Sequence, residues 1–124
     1  MVKLVFCARR LSHLSREEFQ RYWRETHGPL VRKHAATLRI RRYVQVHTLD
    51  TPVNDALRES RGAVPRAYDG VAELWWESVE ELGAGVNSPE GRTASLALYE
   101  DERNFIDHSQ SPLWIGEEHS MVEP

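Results

Sequence analysis

One cysteine, Cys7, stands in a chain of 124 residues, so an intrachain disulfide and any multi-cysteine metal site are excluded. Apolar runs extend only a few residues, too short for a helix that must cross about 30 Å of hydrocarbon, and no membrane partner is expected. A basic excess is also missing. The 16 Lys and Arg face 19 Asp and Glu, a net charge of −3, whereas a nucleic-acid platform needs a positive stripe. No Walker loop, dinucleotide fingerprint, zincin motif or serine-nucleophile elbow occurs. The six histidines are scattered singly, without the spacing of a structural zinc site, and no metal is expected. The opening Met1-Val2-Lys3-Leu4-Val5-Phe6 lacks the apolar stretch and small-residue cleavage site of a secretory signal, which leads to a cytoplasmic expectation. What is present is ordinary for a soluble globular chain: 40% hydrophobic and 28% charged residues, at a length suited to one domain over residues 1–124.

Val2 to Arg9 is apolar on both faces, Leu4 and Phe6 against Val5 and Cys7, the pattern of a strand covered on both sides. Ser15 and Glu18 form a capping box, with Leu14 and Phe19 as its hydrophobic staple. The helix that starts there carries Phe19, Tyr22, Trp23, Leu30 and Val31 as an apolar stripe. His27-Gly28-Pro29 interrupts it, and the helix should stop or kink at His27 and restart with Pro29 in its first turn. Leu38 to Leu49 alternates, Ile40, Val44 and Val46 against Arg41, Tyr43, Gln45 and His47, and reads as a strand. Asp50 to Ala67, with two prolines, a glycine and scattered charges, reads as a loop. Tyr68 to Trp76 returns to strand character, with Asp69, Val71, Glu73 and Trp75 on one side and Ala72, Leu74 and Trp76 on the other. Ser78 with Glu81 repeats the capping-box spacing, and Ser88-Pro89-Glu90 opens a helix to about Glu102. Leu113 to Val122 supplies a last strand.

The order β-α-β-β-α-β is the split βαβ of the ferredoxin-like α+β class, a four-stranded antiparallel sheet with helices on one face. Its other face, with Val71 and Trp75, would stand bare, and a bare apolar face of that size marks an interaction surface. Two copies packed sheet to sheet would cover it, so a homodimer is expected.

Three strings then carry a family resemblance. The first is Phe19-x-x-Tyr22-Trp23-x-x-x-His27-Gly28-Pro29-Leu30, and the second is Tyr68-Asp69-Gly70-Val71-Ala72-Glu73-Leu74-Trp75-Trp76. The third runs from Ser88-Pro89-Glu90-Gly91 to Asp101-Glu102-x-x-Phe105-Ile106-Asp107, with a Glu117-Glu118-His119 tail. In this order they resemble the EthD-like branch of the dimeric α/β-barrel superfamily over nearly the whole chain. The resemblance implies a homodimeric barrel with one pocket per subunit between sheet and helices. It implies action without metal or organic cofactor on lactones, phenolic or polyketide-like compounds, as isomerase, dehydratase, cyclase or lyase. The superfamily also holds accessory proteins of degradation pathways, haem-degrading enzymes and cofactor-free monooxygenases, so the fold alone does not settle the reaction.

His27 is the first candidate for chemistry, because an imidazole held at a helix break is a natural proton shuttle; equally, it can cap that break and touch no substrate. Asp69 and Glu73 flank Val71 and point with it toward the expected dimer face, where a buried carboxyl becomes a useful acid or base. Their alternative is a salt bridge to Arg39 or Arg41 on the neighbouring strand. Tyr43, Gln45 and His47 share one strand face and can bind a developing oxyanion, or simply line a solvated edge. Tyr22, Trp23 and Trp75 suit the walls of a pocket for a flat, apolar ligand, and His119 would face the barrel interior if the last strand reaches it. Cys7 has no basic partner in its strand and reads as an inert thiol, while His108 sits in an irregular segment. The function expected is cofactor-independent proton transfer on a small aromatic, lactone or polyketide-like molecule. The alternatives are a non-catalytic dimeric binding or accessory protein, and a cofactor-free monooxygenase.

Overall fold

The computed structural model of residues 1–124 shows how local chemistry sets each helix. α1 (Arg16–Tyr22) starts on the capping box: Glu18 N–H donates to Ser15 Oγ at 3.0 Å, and Ser15 N–H donates to Glu18 Oε1 at 2.9 Å. The break at His27-Gly28-Pro29 is not a stop. Residues Trp23–His27 form one π turn that runs straight into α2 (Gly28–His34). Gly28 N–H reaches back five residues to the Trp23 carbonyl, and Pro29, with no N–H to donate, sits in the first turn of α2, as expected.

The stretch from Asp50 to Ala67 contains a helix, α3 (Pro52–Arg61), where the composition reads as a loop. Thr51 Oγ1 accepts from Val53 N–H, Pro52 occupies the first turn where its missing N–H costs nothing, and Gly62 closes the end at φ +60°. Proline and glycine here mark the ends of a helix instead of breaking one. α3 buries none of its residues. α4 (Val79–Asn87) and α5 (Pro89–Glu102) follow the serine caps anticipated at Ser78 and Ser88.

The strands are β1 (Val2–Ala8), β2 (Arg42–His47), β3 (Gly70–Trp76) and β4 (Leu113–Glu117). They pair in the order β2-β3-β1-β4, all antiparallel, which is the ferredoxin-like arrangement. β4 ends at Glu117, so His119 lies beyond it. Pleating sends Phe6, Ala8, Ala72, Leu74 and Trp76 to the helix side, where they meet Phe19, Trp23, Val31, Phe105 and Ile106 in one core. The opposite face carries Val5, Val44, Val71 and Trp114, with Lys3 and Glu73 paired at 2.7 Å among them.

No helix is long and apolar enough to cross a membrane.

Candidate functional site

A cavity of about 280 Å³ lies between the sheet and the helices. Leu4, Phe6, Leu74 and Trp76 form its floor, with Trp23, Val31 and Leu98 among the residues above. It falls just below the usual range for ligand sites, about 300–1,000 Å³. Few polar groups reach it: His27, Tyr43, Ser95, Tyr99 and Glu102.

His27 closes the π turn and is only 4% exposed. Its Nδ1 lies 2.8 Å from Asp101 Oδ2, and Asp101 Oδ1 accepts the Tyr22 hydroxyl at 2.6 Å. A carboxylate can only accept, so the proton of the neutral imidazole is on Nδ1 and Nε2 keeps a free lone pair. That Nε2 stands 3.8 Å from Glu102 Oε2, beyond hydrogen-bonding range. The other Glu102 oxygen pairs with His108 Nε2 at 3.0 Å. His27 is therefore oriented from one side and unengaged on the other.

Asp101 and Glu102 end α5, where the helix dipole disfavours negative charge and no basic residue occupies the last turn. Donors from elsewhere offset this: Tyr22, His27 and His108. Burial was legible in part, because Ala94, Leu98 and Glu102 recur at four-residue steps and share one helix face. A consecutive acidic pair ending such a face is the signal that sequence reasoning did not assign to the site.

Tyr43 lies on the helix side of β2, and burial pushes its hydroxyl up to about 12. Gln45 Nε2 donates to Tyr43 Oη at 2.7 Å and to the Trp23 carbonyl at 2.9 Å, leaving the tyrosine O–H free as a neutral donor. Gln45 Oε1 meets His47 Nε2 at 2.8 Å, and the His47 ring stacks on Trp23 with centroids 4.6 Å apart. Burial holds His47 below the usual histidine range. The row Tyr43-Gln45-His47 thus packs inward and is not a solvated edge. Only Tyr43 of the three lines the cavity.

Apart from Trp23, the other residues singled out from sequence fall elsewhere. Asp69 is 3% exposed and receives Arg10 N–H at 2.8 Å, Arg10 Nη1 at 2.5 Å and Arg16 Nε at 3.0 Å. Burial alone would raise its pKa, but these donors outweigh it and hold the carboxyl below its ordinary range. Glu73 faces the open side of the sheet, paired with Lys3. Both carboxylates have salt-bridge partners, though these are not Arg39 and Arg41, which pair with Glu81 and Glu77. Neither lines the cavity. Trp75 lies on the open face, with Lys3 and Arg42 against its ring and its indole N–H donating to Glu118. Tyr22 stands behind Asp101, and Trp23 is a cavity wall. His119 is exposed and meets Glu117 at 3.1 Å. No group of three or more His, Cys, Asp or Glu side chains is arranged to hold a metal ion.

Residues 11–109 match the EthD domain, a span that contains His27, Tyr43, Asp101 and Glu102. Among solved structures, an ethyl tert-butyl ether D (EthD) family protein from Bacillus halodurans C-125 is 21% identical with a TM-score of 0.63, over 96% of this chain and 99% of that one. A dimeric protein of ferredoxin-like fold from Bacteroides fragilis is 9% identical with a TM-score of 0.60, over 94% of each chain. SnoaB, a cofactor-independent oxygenase from Streptomyces nogalater, is 14% identical with a TM-score of 0.50, over 98% of each chain. At these identities the likeness is one of fold. No curated protein matches the chain. The family match spans most of the sequence and every polar residue of the His27 site, and the chain belongs to the EthD family.

Proposed function

We propose that this protein is a cofactor-independent enzyme that moves a proton on a small apolar or aromatic substrate held in the 280 Å³ cavity. The observation that carries this is His27: buried, anchored through Nδ1 to Asp101, and unengaged at Nε2 beside an apolar cavity. Nε2 takes a proton from a carbon or hydroxyl acid of the substrate, and the imidazolium formed is stabilised by Asp101 and by Glu102 at 3.8 Å. Tyr43, neutral across the working pH range, donates to the oxyanion that develops. Returning the proton at another atom gives isomerisation; loss of a leaving group gives dehydration or lyase chemistry, and internal attack gives cyclisation. The paired Asp69 and Glu73 hold the scaffold in this scheme and do not exchange protons with substrate.

Solvent deuterium incorporation into a panel of enolisable lactones, cyclic ketones and phenolic polyketide analogues tests the scheme. The protein should catalyse exchange, and His27→Ala should slow it about 10²- to 10⁴-fold while leaving the fold intact. Unchanged exchange with a lowered melting point would make His27 a helix cap only. Oxygen uptake without exchange would favour a cofactor-free monooxygenase; the Streptomyces relative is named a cofactor-independent oxygenase.

We also infer a homodimer built on the open face of the sheet. Val46 and Trp114 stand about half exposed there in the isolated chain, and the Bacteroides relative of like fold is described as dimeric. Light scattering at micromolar concentration should give twice the monomer mass of 14.4 kDa, and a monomer would remove the barrel arrangement.

A further inference from the structure

A base buried in an apolar cavity must return its proton to water before it can act again. A bound apolar ligand excludes water from the cavity, so the proton's route lies through side chains. His27 has two ring nitrogens, and only one can serve. Loss of the Nδ1 proton to Asp101 would strand a proton on Nε2, the tautomer with no lone pair at the cavity. Restoring the resting ring therefore requires the proton to leave from Nε2.

Glu102 is the only carboxylate among the residues that line the cavity. Its Oε2 stands 3.8 Å from Nε2 and has no hydrogen-bond partner, while its Oε1 is held by His108 Nε2 at 3.0 Å. Exposure rises along this path: the His27 side chain is 5% exposed, Glu102 19% and His108 31%. His108 is itself fixed in place. Asp107 caps its short 3₁₀ turn (His108–Gln110) by accepting from Ser109 N–H, and its ring lies against Tyr99 with centroids 5.1 Å apart.

We propose that Glu102 is the proton exit of the His27 site, with His108 as the positioning residue that holds it there. This rests on the reading of His27 as the base. After abstraction the ring is an imidazolium, and its charge draws the free Oε2 across the remaining gap, about 1 Å more than a hydrogen bond. The Nε2–H bond breaks and an Oε2–H bond forms, which leaves a neutral imidazole with its other proton still on Nδ1. Glu102 then gives the proton to water on its exposed side, and the carboxylate is restored. The bond from His108 to Oε1 keeps the group turned so that Oε2 faces the imidazole. Hydrogen taken from the substrate is thus traded with solvent and not passed intact to another substrate atom.

Deuterium incorporation from heavy water into 2-tetralone, an enolisable aromatic ketone, tests the exit when followed at increasing buffer concentration. Without an exit the abstracted proton falls back to the same carbon and no label enters. The wild-type rate should not depend on buffer. Glu102→Ala should incorporate label at least about tenfold more slowly, within the range of one positioned proton-transfer group. Added imidazole should restore its rate, because the shortened side chain admits a small base in its place. His108→Ala should show a smaller fall with the same buffer dependence, and it carries the test alone if Glu102→Ala does not fold. Phenylnaphthylamine, an uncharged fluorescent probe of the cavity, should bind both variants within about twofold of the wild type. A purely structural role would weaken the probe and give no response to buffer. Unchanged incorporation in the variants, or a fall that imidazole does not rescue, overturns the exit while a slow His27→Ala leaves the base in place. If the wild type incorporates no label, or His27→Ala matches it, the base reading falls and the exit falls with it.

Discussion

Replacing Asp101 by Asn should reverse the tautomer of His27 with little change of shape. In the native site Asp101 accepts twice, from the Tyr22 hydroxyl at 2.6 Å and from His27 Nδ1 at 2.8 Å, with Asn104 Nδ2 a longer third partner at 3.4 Å. An amide offers one acceptor and one donor group. If its oxygen stayed with His27, the Tyr22 proton would lose its acceptor, leaving a half-buried donor unpaired at about 1–3 kcal/mol. With the oxygen on Tyr22, the amide N–H₂ faces His27 Nδ1, which must then accept. The ring proton moves to Nε2, on the cavity side, with Glu102 Oε2 3.8 Å away. Tyr22 and His27 Nδ1 both keep partners, but the lone pair at the cavity is lost. The stability change should be the loss of one charge-assisted bond, about 1–2 kcal/mol, or roughly 4–8 °C in melting temperature at this chain length. The rate of deuterium exchange should fall about 10²- to 10⁴-fold. Nitrogen-15 spectra of the His27 ring distinguish pyrrole-like from pyridine-like nitrogen directly. A variant that keeps its proton on Nδ1, or exchanges within twofold of the native rate, would refute this account of how His27 is set.

Two further predictions concern the scaffold. Asp69→Asn should lower the melting temperature by about 8 °C, corresponding to about 2 kcal/mol; breaking a fully buried pair costs more, but Arg10 and Arg16 are partly exposed. Because the native Asp69 carboxyl titrates below its unfolded value of about 3.9, its contribution is complete above that pH and is lost as pH falls through the native value, so the variant should flatten the acid limb of melting temperature against pH. Gly70→Ala should cost about 1–3 kcal/mol, since a Cβ there runs into the Trp23 ring and within 2.8 Å of the Val46 carbonyl. Trp23 is a cavity wall, so phenylnaphthylamine binding should weaken in that variant even well below its melting temperature.

Local chemistry in the sequence determined most of the architecture. Caps at Ser15, Ser78 and Ser88 act within three residues of themselves, and alternation in β1, β2 and β3 is a property of pleating alone. The element order then leaves few antiparallel arrangements, and the ferredoxin-like one formed. Short-range signals of opposite meaning were harder to weigh. Pro52 and Gly62 suggest a break by composition yet bound α3 by position, and His27-Gly28-Pro29 joins a π turn to α2 where a stop was equally consistent with the residues.

Tertiary structure alone decided the membership of the site. His27 was visible because its local context is unusual. Its partners Asp101 and Glu102 lie more than seventy residues away, and only the packing of α5 against the π turn brings them within reach. Asp69 and Glu73 share a strand face with Val71, as alternation requires, but which basic side chains meet them depends on β1 and α1 folding back onto β3. Periodicity states which residues point the same way. The function of a carboxylate depends on what stands opposite, and that is fixed by contacts between distant segments.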